Sequence, residues 1–129
     1  MKVLIDTHIF LWMLAEVNKI NADARIVLED VNSDLFLSAA SFYEIAYKFR
    51  TGKLIGYDEL AKRMEYYAQK MNLTILPVGG NHAIEAGRLD WAHRDPFDRM
   101  LAGQAICDNL LLLTEDAAFE QVPKLKTLW

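Results

Sequence analysis

Lys2-Val3-Leu4-Ile5-Asp6-Thr7-His8 is the stretch on which the reading of this chain turns. Val3-Leu4-Ile5 is apolar and partly β-branched, too short to make a helix alone, so Lys2 to Asp6 reads as a short buried strand. The run stops on a carboxylate. Thr7 or His8 then caps an amphipathic helix that carries Leu11, Trp12 and Leu14. In a parallel α/β sheet, a strand that ends on an acid and turns into a helix delivers that acid to the carboxyl edge, where such sheets bind their ligands.

Working outward, the same unit recurs. Asn32-Ser33-Asp34 signals a turn ahead of a second buried strand, Leu35 to Ser38. Leu73 to Val78 is a third, closed by Gly79-Gly80; Leu110 to Thr114 is a fourth, and Leu125 to Leu128 an edge strand. Helices fill the gaps. Asn21 caps one that runs to Glu29 with Ile26 and Val27 inward. Ser41 opens another through Ile45, Ala46 and Phe49 to Gly52, and Glu44 stands at capping-box spacing from it. Asp58 to Gln69 has Leu60, Met64 and Tyr67 on one side and a charged, solvated face on the other. Asn81 to Gly87 and Glu115 to Glu120 are short helices. After the loop Trp91 to Asp95, Asp95 suits the N-cap and Pro96 the first turn of a helix that buries Phe97, Met100, Leu101 and Ala105 and reaches about Cys107. The alternation predicts a three-layer α/β/α fold with a mainly parallel sheet of four to five strands, and the length predicts one domain over 1–129.

Composition narrows the function classes. Hydrophobic residues make up 53% and charged residues 25%, as in globular proteins. The net charge of −4 argues against coating nucleic acid by bulk positive field, although Lys48, Arg50 and Lys53, and then His93, Arg94 and Arg99, form local basic clusters. Asp6 and His8 interrupt the apolar start, which falls short of the ~20 residues of a membrane span, so a cytoplasmic, soluble protein is expected. Cys107 stands alone; it predicts no internal disulfide and reads as a core residue, since no His near it in sequence supports a thiol nucleophile.

Asp6, Glu44, Asp98 and Asp116 each sit where an apolar run stops or a helix pattern begins. Over one sheet edge, four carboxylates repel one another and imply a cation. Oxygen donors select hard ions, so Mg²⁺ or Mn²⁺ fits. His8, His82 and His93 are scattered and there is no HExxH, which argues against zinc; neither GxGxxG nor GxxxxGK[ST] occurs. Ions held by one or two carboxylates take phosphates as further ligands, which points to phosphodiester chemistry with one or two ions.

Four segments in order carry a specific resemblance: Leu4-Ile5-Asp6-Thr7-His8, Ser38-Ala39-Ala40-Ser41-Phe42-Tyr43-Glu44-Ile45, His93-Arg94-Asp95-Pro96-Phe97-Asp98-Arg99-Met100-Leu101-Ala102, and Leu113-Thr114-Glu115-Asp116. The chain resembles a PIN-domain ribonuclease and, within that superfamily, the VapC-type toxin of a type II toxin–antitoxin pair. The resemblance implies a metal-dependent endoribonuclease with Asp6, Glu44, Asp98 and Asp116 as metal-binding acids, an RNA substrate, an antitoxin encoded beside it, and a homodimer. Asp95 is either a further acid of the site or a helix cap. Thr7, Ser38 and Thr114 either orient metal-bound water or make capping and strand-end hydrogen bonds. Arg94 and Arg99 either hold substrate phosphate or belong to a solvated face.

Three other readings compete with this one. A receiver-type phosphoacceptor domain needs an Asp ending its central strand, and Leu73 to Val78, read as the middle strand, lacks one. A haloacid-dehalogenase-like phosphatase needs a second Asp two residues past the first, where this chain has His8. A PIN scaffold that binds RNA or a partner without cutting is the third, disfavoured by the presence of all four acids.

Overall fold

Val3, Leu4 and Ile5 are fully buried because they lie in the middle of a sheet covered on both faces. The computed structural model describes residues 1–129. Its strands are β1 (Lys2–Ile5), β2 (Asp34–Ser38), β3 (Thr74–Leu76), β4 (Leu111–Leu113) and β5 (Lys126–Leu128). They form one sheet in the order β3-β2-β1-β4-β5 with every pairing parallel. Ile5 stands beside Leu37 on one neighbour and Leu113 on the other, so the residues following β1, β2 and β4 emerge at the same edge.

The pleat sends alternate residues to opposite layers. Val3 and Ile5 join Leu35 and Leu37 in one core, completed by Ile9 and Phe10 of α1 (Thr7–Ala15), Ala24 of α2 (Ala22–Glu29), Ile45 of α3 (Ala39–Arg50), Leu60 of α4 (Asp58–Lys62) and Ala68 of α5 (Met64–Lys70). Leu4 points the other way and meets Leu101, Ala102 and Ala105 of α7 (Pro96–Cys107), together with Leu112, Phe119 and Val122. This is the expected three-layer α/β/α architecture. The layer containing α7 also holds α6 (Gly80–Arg88), and the two helices approach closely at Gly103. A Cβ there would lie 2.8 Å from both the Ala86 nitrogen and the His82 oxygen. No helix is long and apolar enough to cross a membrane.

Several local expectations are corrected. Leu73 to Val78, read as the middle strand, contributes only Thr74–Leu76, at the edge of the sheet. The middle position belongs to β1, which does run into an acid, so the missing strand-end Asp does not exclude a receiver domain. Neither Thr7 nor His8 caps α1; Asp6 takes that position, with no capping bond from its side chain. The cap of α3 lies three residues before the expected Ser41: Ser38 takes that position and accepts from the Ala40 amide at 3.0 Å. The Ser41–Glu44 capping box is therefore absent. The helix expected over Asp58 to Gln69 is broken at Arg63 (φ −136°, ψ 38°) into α4 and α5. Ile26 is exposed, and Ala24, Val27 and Leu28 carry the inner face of α2. Cys107, expected in the core, is exposed at the end of α7, where its thiol donates weakly to the Asn81 carbonyl. The helix expected over Glu115 to Glu120 is a 3₁₀ turn, Ala117–Gln121.

Candidate functional site: an acidic cluster at the carboxyl edge

Asp6 follows the last residue of β1 and is buried, with 4% of its surface exposed. Burial raises its pKa above the usual carboxylate range; the Thr114 hydroxyl and the charge of His8 pull it part of the way back, and Glu44 pushes it further up. The Thr114 Oγ1 donates to Asp6 Oδ2 at 2.6 Å. Thr114 Oγ1 in turn accepts from the Asp116 amide at 3.1 Å, so one side chain fastens the loop after β4 to the acid after β1.

Glu44 lies on the second turn of α3 and is equally buried. Its carboxylate is bonded by Lys48, one helical turn on. Burial opposes the charge on Lys48, but the bond to Glu44 and the charges of Glu44, Asp95 and Asp98 more than offset it, and its pKa is raised. Thr7 donates to Ser41 Oγ at 2.8 Å, locking the starts of α1 and α3 together beneath the acids. Ser38 is spent on capping α3.

Asp95 caps α7 as expected: Oδ1 accepts from the amides of Phe97 at 2.9 Å and Asp98 at 3.4 Å. Asp98 lies in the first turn that Asp95 opens. Its pKa is pushed up to about 6, first by burial and then by the charges of Asp95, Asp6 and Glu44, against the opposing bond to His93. The structure therefore brings Asp6, Glu44, Asp95 and Asp98 within electrostatic reach of one another. Asp116 is exposed; its Oδ1 caps the 3₁₀ turn through the Ala118 amide at 2.9 Å, and it connects to the buried acids through Thr114.

Sequence reasoning missed His93. Its Nε2 lies 2.7 Å from Asp98 Oδ2, and its ring stacks on Trp91 with centroids 4.5 Å apart. The potential ligand atoms of His93, Asp95 and Asp98 all lie within 4.8 Å of one another. In sequence His93 reads only as part of a basic cluster; its place five residues before Asp98, in the loop feeding a Pro-started helix, is the available signal. The Glu44–Lys48 pair was legible from its i,i+4 spacing.

Arg94 is exposed, whereas Arg99 is committed elsewhere. The Arg99 guanidinium donates to the carbonyls of Ala86 (3.1 Å), Leu89 (2.8 Å), Trp91 (2.7 Å) and His93 (3.0 Å). Four of its five N–H donors are used, one on α6 and three on the loop that places His93 on Asp98. Arg99 is thereby a strut within the protein, and not part of a solvated face.

The donor set fits a hard divalent cation. Carboxylate oxygens dominate it, two of the acids are raised by burial and mutual repulsion, and the lysine among them is already bonded to Glu44.

The three-layer fold agrees with what comparison with known proteins returns. No curated protein sequence matches. Among solved structures, the chain is similar to VapBC2 from Rickettsia felis bound to a promoter DNA fragment, with TM-score 0.75 and 16% identity over 99% of this chain and 98% of that one. VapBC-1 from nontypeable Haemophilus influenzae gives 0.73 and 20% over 99% and 97%. DNA-bound VapBC from Salmonella typhimurium gives 0.73 and 19% over the same shares. At these identities the likeness is one of fold. The PIN domain profile matches residues 3–125, nearly the whole chain, and with it the receiver and phosphatase readings fall away: this chain belongs to the PIN domain family.

Proposed function

We propose that this protein is a metal-dependent endoribonuclease acting as the toxin of a type II toxin–antitoxin pair. The observation that carries the reading is the convergence of Asp6, Glu44 and Asp98, from three separate elements, on one partly buried patch at the sheet edge. The fold likeness to VapBC complexes supports the toxin part of it, and the PIN family membership supports the nuclease part.

Asp6, Glu44 and Asp98 would hold Mg²⁺ or Mn²⁺, with Asp95 and Asp116 at the margin. A bound divalent ion of this kind supplies Lewis-acid polarisation of a phosphodiester and an activated water. The protein's own groups prepare the place. Thr114 fixes the Asp6 carboxylate through one of its oxygens. His93 fixes one oxygen of Asp98 in the same way. Lys48 neutralises part of the negative charge, so that a polyanion can approach. Arg94 and Lys53 stand outside the acids and can meet phosphate. A cognate antitoxin covering the acids, a homodimer and a cytoplasmic setting belong to the same reading.

Inducible expression in a bacterial host tests it. Growth arrest by the parent, loss of arrest with Asp98→Asn at equal protein level, and relief on co-expression of the product of the adjoining small gene are expected. Equal arrest by parent and variant would overturn it.

A further inference from the structure

We propose that His93 is a nitrogen ligand of the divalent ion, beside Asp98, and that it makes the site select Mn²⁺ over Mg²⁺. This rests on the metal-dependent reading and adds to it which ion is resident. Asp6, Glu44 and Asp98 alone offer hard oxygen donors, which suit Mg²⁺ and Mn²⁺ alike. An imidazole changes that. Nitrogen donors favour first-row transition ions, whereas Mg²⁺ keeps to oxygen and dehydrates reluctantly.

Of the three histidines, His93 is the one aimed at an acid of the site. His82 has both ring nitrogens engaged elsewhere: Nδ1 accepts from the Gly79 amide at 2.9 Å and Nε2 lies 3.0 Å from Asp108 Oδ2. His8 is exposed on the first turn of α1, its ring 6.4 Å from that of Trp12. His93 Nε2, by contrast, lies 2.7 Å from Asp98 Oδ2, and the potential ligand atoms of His93, Asp95 and Asp98 fall within 4.8 Å of one another. Donors about 2.1 Å from an octahedral ion lie about 3 Å apart when adjacent and about 4 Å apart when opposite, so these atoms stand close to the spacing of a shared ligand set. The distance between the histidines in sequence argues against a nitrogen-bearing site, but folding brings one of them into the donor set.

The ring is held before any ion arrives. It stacks on Trp91 with centroids 4.5 Å apart and planes 19° apart, and Trp91 is itself buried against Phe119. Arg99 grips the carbonyls of Trp91 and His93 at 2.7 and 3.0 Å. A ligand whose orientation is fixed by its supports has little freedom left to lose on binding. The pair is also open to an ion from solvent, since the His93 side chain is 29% exposed and that of Asp98 17%. In the metal-free protein His93 holds Asp98; with the ion bound, both are donors to it, the neutral ring carrying its proton on Nδ1.

The test uses the full chain, stripped of metal with EDTA and then desalted. Pulsed EPR of the parent with one equivalent of Mn²⁺ should show nitrogen coupling from a directly bound imidazole, which His93→Gln removes. His8→Gln should leave it in place; its loss there would assign the nitrogen to His8 and overturn the proposal. Calorimetric titration gives the affinities. His93→Gln keeps an amide that can donate to Asp98, so a role confined to positioning survives the change while the nitrogen donor is lost. It should weaken Mn²⁺ at least about tenfold and Mg²⁺ less than about threefold. No nitrogen coupling in the parent, a reading that needs no variant to fold, would overturn the proposal, as would an unchanged ratio of the two affinities in His93→Gln. Asp98→Asn and RNA cleavage are scored separately. Mn²⁺ binding that depends on Asp98 but not on His93 would sink the His93 assignment alone, and His93-dependent Mn²⁺ binding by a chain that cuts no RNA would sink the nuclease reading alone.

Discussion

Thr114 and Asp6, 108 residues apart in sequence, are joined by a 2.6 Å hydrogen bond from the hydroxyl to Oδ2, both side chains being buried. The bond exists because β4 pairs with β1 in parallel, with Ile5 beside Leu113, so that the next residue of each strand emerges at the same edge. A charge-assisted bond to a desolvated carboxylate is among the stronger kinds.

Thr114→Val, which keeps the shape and removes the donor, should therefore cost about 1–3 kcal/mol of stability and raise the Asp6 pKa further. Thr114→Ser should recover most of the loss. Urea unfolding of the three proteins at pH 7 checks this, and a Val variant as stable as the parent would show the bond to be incidental.

Asp98 sets a pH dependence whose sign follows from its shift. Its pKa rises from 3.8 to about 6 on folding, so between roughly pH 4 and pH 6 the folded protein holds more protons than the unfolded chain. This group's contribution is favourable at low pH and is lost as pH rises through about 6, leaving the charged carboxylate unfavourable in the metal-free protein at neutral pH. Asp98→Asn keeps an oxygen to accept from His93 and removes that charge. Without metal, the variant should match the parent near pH 4 and exceed it by about 1 kcal/mol above pH 6, after discounting for solvent screening. In saturating Mn²⁺ at pH 7.5 the order should reverse, because only the parent gains from the ion. Melting curves from pH 4 to 8, with and without Mn²⁺, give the comparison; a difference independent of pH and metal would contradict the assignment.

Arg99 is the strut of the loop before α7. Arg99→Lys retains the charge but loses the planar fork that reaches four carbonyls at once. It should lower stability by about 1–3 kcal/mol and speed amide exchange selectively over residues 89–95, loosening His93 from Asp98. Hydrogen exchange read by mass spectrometry distinguishes this from a uniform loss of stability.

Much of the fold was legible because the sheet is fully parallel. A strand buried on both faces, such as Val3-Leu4-Ile5, must be continuously apolar, and an acid directly after it must lie at the sheet edge. Asp95-Pro96 announced the start of α7, and so located Asp98, for equally local reasons. Strand order was not legible, since the run nearest the middle of the sequence, Thr74–Leu76, pairs only with β2 and ends at the edge. Ser38 and Ser41 are both competent caps, and the choice between them depends on where β2 stops, which cross-strand pairing decides. Arg99 reads as a surface cation in any one-dimensional account. Three of its four acceptors lie in a loop without periodicity and the fourth on α6, which packs closely on α7 at Gly103. His93 depends on that same loop, and so was hidden with it.

On the proposed reading, Asp6, Glu44 and Asp98 act together through a divalent cation to cut RNA. Its most direct test is cleavage of a labelled RNA by the purified chain in Mn²⁺ or Mg²⁺, in excess EDTA, and with Asp98→Asn replacing the parent. Cleavage in either metal, abolished by EDTA, restored by added Mn²⁺, and lowered at least about a hundredfold by Asp98→Asn is the result expected for loss of a ligand to the ion. Cleavage undiminished in EDTA, or equal in parent and variant, would contradict it.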